Sequence, residues 1–172
     1  MSKVALIVID MLNDFLDPQG ALFVGPAGQA IVPFVARRVE ETRSHGGVVI
    51  FVCDAHAPDD REFEQFKPHA VKGAWGSEII PAIPFRAGDY RVDKTRYSAL
   101  HNTSLEDILI REGVRQVELV GVCTSICIMF TAIGLLDREF QCRVYREGVA
   151  DFNAQAHAFA LEHMKLLGVE VV

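Results

Sequence analysis

The sequence predicts an α/β fold of three layers, α-β-α, on a mainly parallel six-stranded sheet. Two observations carry this expectation. Six short apolar runs alternate along the chain with segments of helical period, the order that lays parallel strands side by side under helices on both faces. The runs at Val4–Ile9 and Val48–Cys53 are apolar at successive positions rather than every second one. Strands buried on both faces read this way.

The first strand, Val4 to Asp10, ends in an acid. A polar loop with Asn13, Asp14, Asp17, Pro18 and Gly20 follows, then Gly25-Pro26-Ala27-Gly28. From Gln29 to about His45 the residues Ile31, Phe34, Val35 and Val39 recur at helical spacing, with Pro33 placed in the first turn. Gly46-Gly47 stops that helix, and Val48–Cys53 is the second strand, ending at Asp54. The stretch from Ala55 to Gly76 is polar, contains Pro58 and Pro68, and has no sustained periodicity. Connections of that length in a compact domain usually serve function.

Tyr90–Asp93 is a third strand ending at Lys94. Thr103 or Ser104 caps a helix to about Glu112, with Glu106 or Asp107 as the capping-box acid. Val117–Gly121 is a fourth strand, followed by a helix from Ser125 or Ile126 to about Arg138. Cys142–Tyr145, a helix from Asn153 to about Leu166, and Val169–Val172 complete the chain. With no internal repeat or linker, residues 1–172 read as one domain.

Composition narrows the function. Half of the 172 residues are hydrophobic and 23% are charged, as in a soluble globular protein. A net charge of −6 disfavours a nucleic-acid-binding face. No apolar run has the length of a membrane span, and Met1-Ser2-Lys3 leads directly into a strand rather than a signal peptide. The four cysteines (Cys53, Cys123, Cys127 and Cys142) suit reduced thiols in a cytoplasmic protein.

Four strand ends carry the chemistry. In open α/β sheets, ligands bind beyond the carboxyl ends of the strands. Here those ends hold Asp10, Asp54, Lys94 and the turn with Cys127. Cys127 falls in the first turn of a helix, where free amides and the positive end of the dipole lower a thiol's pKa and bind an oxyanion. Asp10 or Asp54 is placed to accept the thiol proton, and Lys94 to stabilise the thiolate. The backbone of Cys123 and Cys127 would hold the oxyanion. Cys53 and Cys142, in apolar runs, read as core residues. The chemistry implied is acyl transfer through a thioester.

Three motifs, Ile-Val-Ile-Asp10-Met-Leu-Asn-Asp-Phe15, Lys94-Thr-Arg-Tyr97-Ser-Ala and Gly121-Val-Cys-Thr124-Ser-Ile-Cys127, resemble the isochorismatase-like cysteine hydrolases across the whole chain. The resemblance implies that hydrolase fold and a catalytic triad of Asp10, Lys94 and Cys127. It also implies a cis peptide at Val122–Cys123. Asp54-Ala-His56, followed by Phe66-Lys-Pro-His69, is similar to the metal-binding loop of the nicotinamidase and pyrazinamidase subgroup. It implies a divalent metal, zinc first with manganese or iron as alternatives, on Asp54, His56 and His69. Glu62 is a further ligand, ahead of Glu64 and Asp60. Phe15, Phe66 and Tyr97 would flank the substrate ring. His101, His157 and His163 read as surface or helix-face residues. The implied reaction is hydrolysis of nicotinamide, and of pyrazinamide, to the acid and ammonia. The other reading is a metal-independent amidase of the same superfamily acting on a carbamoyl or ureido substrate. The resemblance further implies self-association as a dimer or tetramer.

Overall fold

The computed structural model describes residues 3–172, so the expected entry of Met1 and Ser2 into the first strand lies outside the described residues. Strands β1 (Lys3–Ile9), β2 (Val48–Asp54), β3 (Tyr90–Lys94), β4 (Val114–Val122), β5 (Gln141–Ala150) and β6 (Glu170–Val171) form one sheet in the order β3-β2-β1-β4-β5-β6. Every neighbouring pair is parallel. The helices are α1 (Asn13–Leu16), α2 (Pro26–Ser44), α3 (Leu105–Arg111), α4 (Met129–Leu136) and α5 (Ala154–Leu167).

The period-2 geometry of a strand decides which residue meets which layer. Ala5, Ile7 and Ile9 of β1 pack in one cluster with Leu109 of α3, Leu135 of α4 and Leu161 of α5. Leu6 and Val8 turn the other way, into a cluster with Ile31, Val35 and Val39 of α2. Each such aliphatic side chain, once buried, contributes about 1.5–3 kcal/mol of transfer free energy. Among the described residues no helix is long and apolar enough to cross a membrane.

Several elements depart from the sequence reading. Helix α2 opens at Pro26, not Gln29, because Gly25 turns the chain at φ 92° and Pro26 is pre-set for a first helical position. Pro33 therefore lies inside the helix. It is tolerated on the exposed face, where the Gln29 carbonyl that it cannot bond faces water. The expected polar loop contains α1, whose Phe15 and Leu16 are buried. At α3, Ser104 has φ −89° and ψ 8° and no side-chain cap. Thr103 Oγ1 instead accepts from Leu105 N at 3.2 Å, and no capping box forms. β5 continues five residues past Tyr145, through a bulge between Val144 and Val149, and delivers its end at Ala150. Asn153 caps α5 as expected, accepting from Gln155 N and Ala156 N at 2.9 and 3.0 Å.

Register brings the polar strand ends to one edge. Ile9 lies opposite Val52 on one side and Gly121 on the other, and Asp54 lies opposite Lys94. Gly121 is required there. Its φ is 120°, and a Cβ at that position would run into the Ile9 carbonyl.

Candidate active site

Lys94 is buried at the end of β3 with its ammonium enclosed by three groups. Its Nζ lies 2.9 Å from Asp10 Oδ2, donates to Asp54 Oδ1, and donates to Cys127 Sγ at 3.4 Å. The first acid is held by the second strand, since Asp54 N donates to Asp10 Oδ1 at 2.8 Å. Asp10 also adopts φ 53°, which turns the chain out of β1 immediately after Ile9. Its Oδ2 is buried with no aligned hydrogen-bond donor, so a lone pair remains free beside the thiol.

The electrostatics separate the two acids. Burial, and then the charge of Asp54, push Asp10 up to about 6 against the pull of Lys94. For Asp54 burial acts upward too, but Lys94 and His56 outweigh it and hold the carboxyl near about 2. Burial alone would lower Lys94, yet Asp10 and Asp54 carry it well above its ordinary value. The two acids left open by sequence are thus shifted in opposite directions, Asp10 up and Asp54 down.

Cys127 corrects one expectation. Burial pushes its thiol well up, and Lys94 opposes that without overcoming it. A helix start does not suffice to ionise a sulfur so deeply enclosed. Loss of its proton must accompany transfer to a neighbouring base. Cys53 and Cys142 are pushed up to about 12 by burial in the core, as their apolar runs suggested. Cys123 is buried and raised as well, first by burial and then by Asp151.

The turn around Cys127 is wider than a regular α-helical start, because one closing bond spans five residues. The Val122–Cys123 peptide is cis, and Thr124–Ile128 form a π-type turn before α4 begins at Met129. Ile126 N and Ile128 N both donate to Cys123 O, at 3.1 and 3.2 Å, while Cys127 N between them does not.

Asp54, His56 and His69 form a second cluster, their nearest ligand atoms within 4.8 Å of one another. A local bridge between His56 and Val71 folds the long loop back, with His56 N bonded to Ala70 O at 3.0 Å. Asp54 Oδ2 is 3.6 Å from His56 Nε2 and 3.8 Å from His69 Nε2. Glu62 Oε1 is 3.9 and 3.8 Å from the same two nitrogens. His56 Nδ1 faces Asp60 Oδ2 at 3.1 Å and His69 Nδ1 faces Lys67 O at 2.7 Å. Oxygen acceptors there place a proton on each Nδ1, so each Nε2 can offer a lone pair to the cluster. Asp60, set aside as a ligand, is thus a partner of one.

These residues fit a divalent cation. Two imidazoles and two carboxylates are the donor types zinc takes, and His56 Nε2 is buried with no hydrogen-bond partner. Burial, and next the charge of Asp54, raise Glu62, while the carboxylates around His56 raise it against burial. Anions crowded in this way are relieved by a cation. The Asp10, Asp54 and Cys127 grouping also has ligand spacing, but the Lys94 ammonium already supplies its positive charge.

Both clusters open on one pocket, lined by Asp10, Asp54, Glu62, His69, Cys123 and Cys127. The expected aromatic residues Phe15, Phe66 and Tyr97 form its walls, with Leu22, Val122, Ile126 and Phe152. Phe15 and Phe66 meet His69 edge-on at centroid distances of 5.6 and 6.2 Å. Phe152 was missed because β5 reads as ending at Tyr145, before the polar Arg146-Glu147. His157, expected on a surface or helix face, instead lies with Nδ1 2.8 Å from the buried Thr124 Oγ1. His101 is exposed, and His163 stacks on Phe159 along α5.

Comparisons with known proteins agree with this geometry. A solved structure titled nicotinamidase PncA from Bacillus subtilis superposes with a TM-score of 0.93 at 33% identity, covering 99% of each chain. Pyrazinamidase of Pyrococcus horikoshii in complex with zinc gives a TM-score of 0.94 at 29% identity, over 99% of this chain and 98% of that one. N-carbamoylsarcosine amidase from Thermoplasma acidophilum gives 0.89 at 34% identity, over 98% and 95%. The family model described as Isochorismatase domain matches residues 4–172, nearly the whole chain. Fold, strand-end chemistry and sequence therefore converge: the chain belongs to the isochorismatase family.

Proposed function

We propose that this isochorismatase-family hydrolase is a metal-assisted nicotinamidase, converting nicotinamide to nicotinate and ammonia and accepting pyrazinamide as well. In this reading residues 1–172 act as one domain. Asp10, Lys94 and Cys127 are the catalytic residues. Asp54, His56, His69 and Glu62 hold the metal, zinc before manganese or iron, and Phe15, Phe66 and Tyr97 flank the ring.

The steps follow from the contacts. The Cys127 thiol gives its proton to Asp10 Oδ2 as Sγ attacks the carboxamide carbon. The carbonyl oxygen becomes an oxyanion facing the Cys123 and Cys127 amides; one such donor is worth about 3–4 kcal/mol in the transition state. The C–N bond then breaks, and Asp10 returns the proton to the leaving nitrogen, which departs as ammonia. A thioester on Cys127 remains. Asp10 next takes a proton from water as the hydroxyl oxygen attacks the thioester carbon. The C–S bond breaks, the sulfur is reprotonated from Asp10, and the carboxylic acid leaves. Lys94 keeps Asp10 and the developing thiolate in charge balance throughout. Asp54, His56, His69 and Glu62 would hold a divalent cation, which when bound would supply a Lewis acid to orient the ring.

The observation that carries this reading is the composition of the cavity wall. Aromatic and aliphatic side chains line the pocket, with three acids and no arginine or lysine among the lining residues. Such a wall favours an uncharged carboxamide and repels a carboxylate. The second reading, a metal-independent amidase on a carbamoyl or ureido substrate, is favoured by the likeness to the carbamoylsarcosine amidase. That enzyme's named substrate bears a carboxylate, for which this wall offers no counter-charge. Ammonia release from nicotinamide by the parent protein and by Cys127→Ala tests the proposal. Release by the parent alone supports it, and equal release by both removes Cys127 as nucleophile.

A further inference from the structure

The junction between β5 and α5 grips the Cys127 turn at two successive residues, Thr124 and Ser125. Asp151, immediately after β5, is buried. Its Oδ2 accepts from Ser125 N at 2.7 Å and its Oδ1 from Asn153 N at 3.3 Å. His157, in the first turn of α5, meets the fully buried Thr124 hydroxyl at 2.8 Å. None of these groups belongs to the triad or to the metal cluster.

A π-type turn is uncommon and its amides have no regular intrahelical partners. Here Ser125 N is satisfied from outside by Asp151, and Ile126 N and Ile128 N by Cys123 O. With those three amides held, the turn that carries Cys127, a residue lining the cavity, is fixed in place. Asp151 meets the turn as a hydrogen-bond acceptor, with its Oδ2 on Ser125 N.

We propose that Asp151 and His157 are positioning residues that hold Ser125 and Thr124 and thereby aim Cys127 at the substrate. The proposal rests on Cys127 being the nucleophile. Its sequence signal is an acid at the true end of β5 followed six residues later by a histidine on the next helix.

The test compares Asp151→Ala, Asp151→Asn, His157→Ala and His157→Gln in the zinc-loaded protein. The measurements are kcat and KM for ammonia release from nicotinamide, the iodoacetamide alkylation rate of Cys127, and thermal unfolding. A misaimed nucleophile loses rate steeply with small displacements. Asp151→Ala is expected to lower kcat and the alkylation rate together, by about tenfold or more, with KM within about threefold. Asp151→Asn, which keeps an acceptor oxygen, restores both to within about threefold of the parent. Parent-like rates in Asp151→Ala overturn the proposal, as does an asparagine variant as impaired as the alanine one. If Asp151→Ala does not fold, the histidine pair decides: a slowed alanine variant recovered by glutamine supports the role, and two parent-like variants refute it. Should the parent release no ammonia from nicotinamide, the proposed substrate fails, while the alkylation rates still judge the positioning role.

Discussion

Lys94 donates to Asp54 as well as lying 2.9 Å from Asp10, and Asp54 Oδ2 also lies 3.6 Å from His56 Nε2 and 3.8 Å from His69 Nε2. One carboxylate therefore belongs to both halves of the site. Asp54→Ala is expected to weaken zinc binding by about tenfold or more and to slow Cys127 alkylation as well. His69→Ala, which touches only the metal half, weakens zinc binding equally but leaves alkylation within about twofold of the parent. Chelator competition and iodoacetamide labelling, run on both variants, read the two effects separately. Parallel losses in both variants would contradict the shared role of Asp54.

Lys94 is the only positive side chain in contact with both Asp10 and Asp54 among the described residues. Replacing it with methionine leaves two buried carboxylates facing each other, a loss of about 3–5 kcal/mol. Urea unfolding at neutral pH is expected to show a loss of that size, together with abolished ammonia release. A variant of parental stability would mean that one acid is protonated in the resting protein.

Gly121 lies where β4 passes closest to β1, at φ 120° and against the Ile9 carbonyl. Gly121→Ala combines an unfavourable backbone conformation with a steric clash. It is expected to cost at least about 2 kcal/mol and to displace the turn that follows. Denaturant midpoints and kcat should both fall. A loss of stability with unchanged kcat would show that the turn is set independently of the strand end.

The pH response offers a test far from the site. Glu112 is lowered from its ordinary value by the hydrogen bond from Lys3 and then by that from Tyr90 Oη at 2.6 Å. A carboxyl lowered on folding stabilises the protein above its unfolded value of 4.5, and that contribution is lost as pH falls through the folded one. Glu112→Gln should therefore be less stable than the parent at neutral pH, with the difference closing in strong acid. Urea midpoints of both proteins across that window check it, and a constant difference would contradict it.

Much of the site was legible because its residues mark sharp boundaries. Asp10 and Asp54 each end an apolar run, Lys94 ends a short strand, and Cys127 follows a glycine that breaks an apolar run. Such edges survive in a single sequence, since they are where buried strands reach polar surroundings. What escaped depends on contacts distant in sequence or on irregular backbone. The bulge after Val144 carries β5 past the polar Arg146 and Glu147, so Asp151 and Phe152 were not seen as strand-end residues. His157 gains its role only through Thr124, across a separation of 33 residues. The helix dipole at Cys127 was legible, but the depth of burial that outweighs it was not.

The central claim is that a thiol attack by Cys127 and a metal held by Asp54, His56, His69 and Glu62 serve one reaction on nicotinamide. Its most direct measurement is ammonia release from nicotinamide by protein stripped with a chelator, then reloaded with zinc, with bound metal quantified at each stage. The expected result is loss of activity on stripping and recovery in proportion to zinc bound. Full activity with no metal bound would contradict the claim and favour the metal-independent amidase.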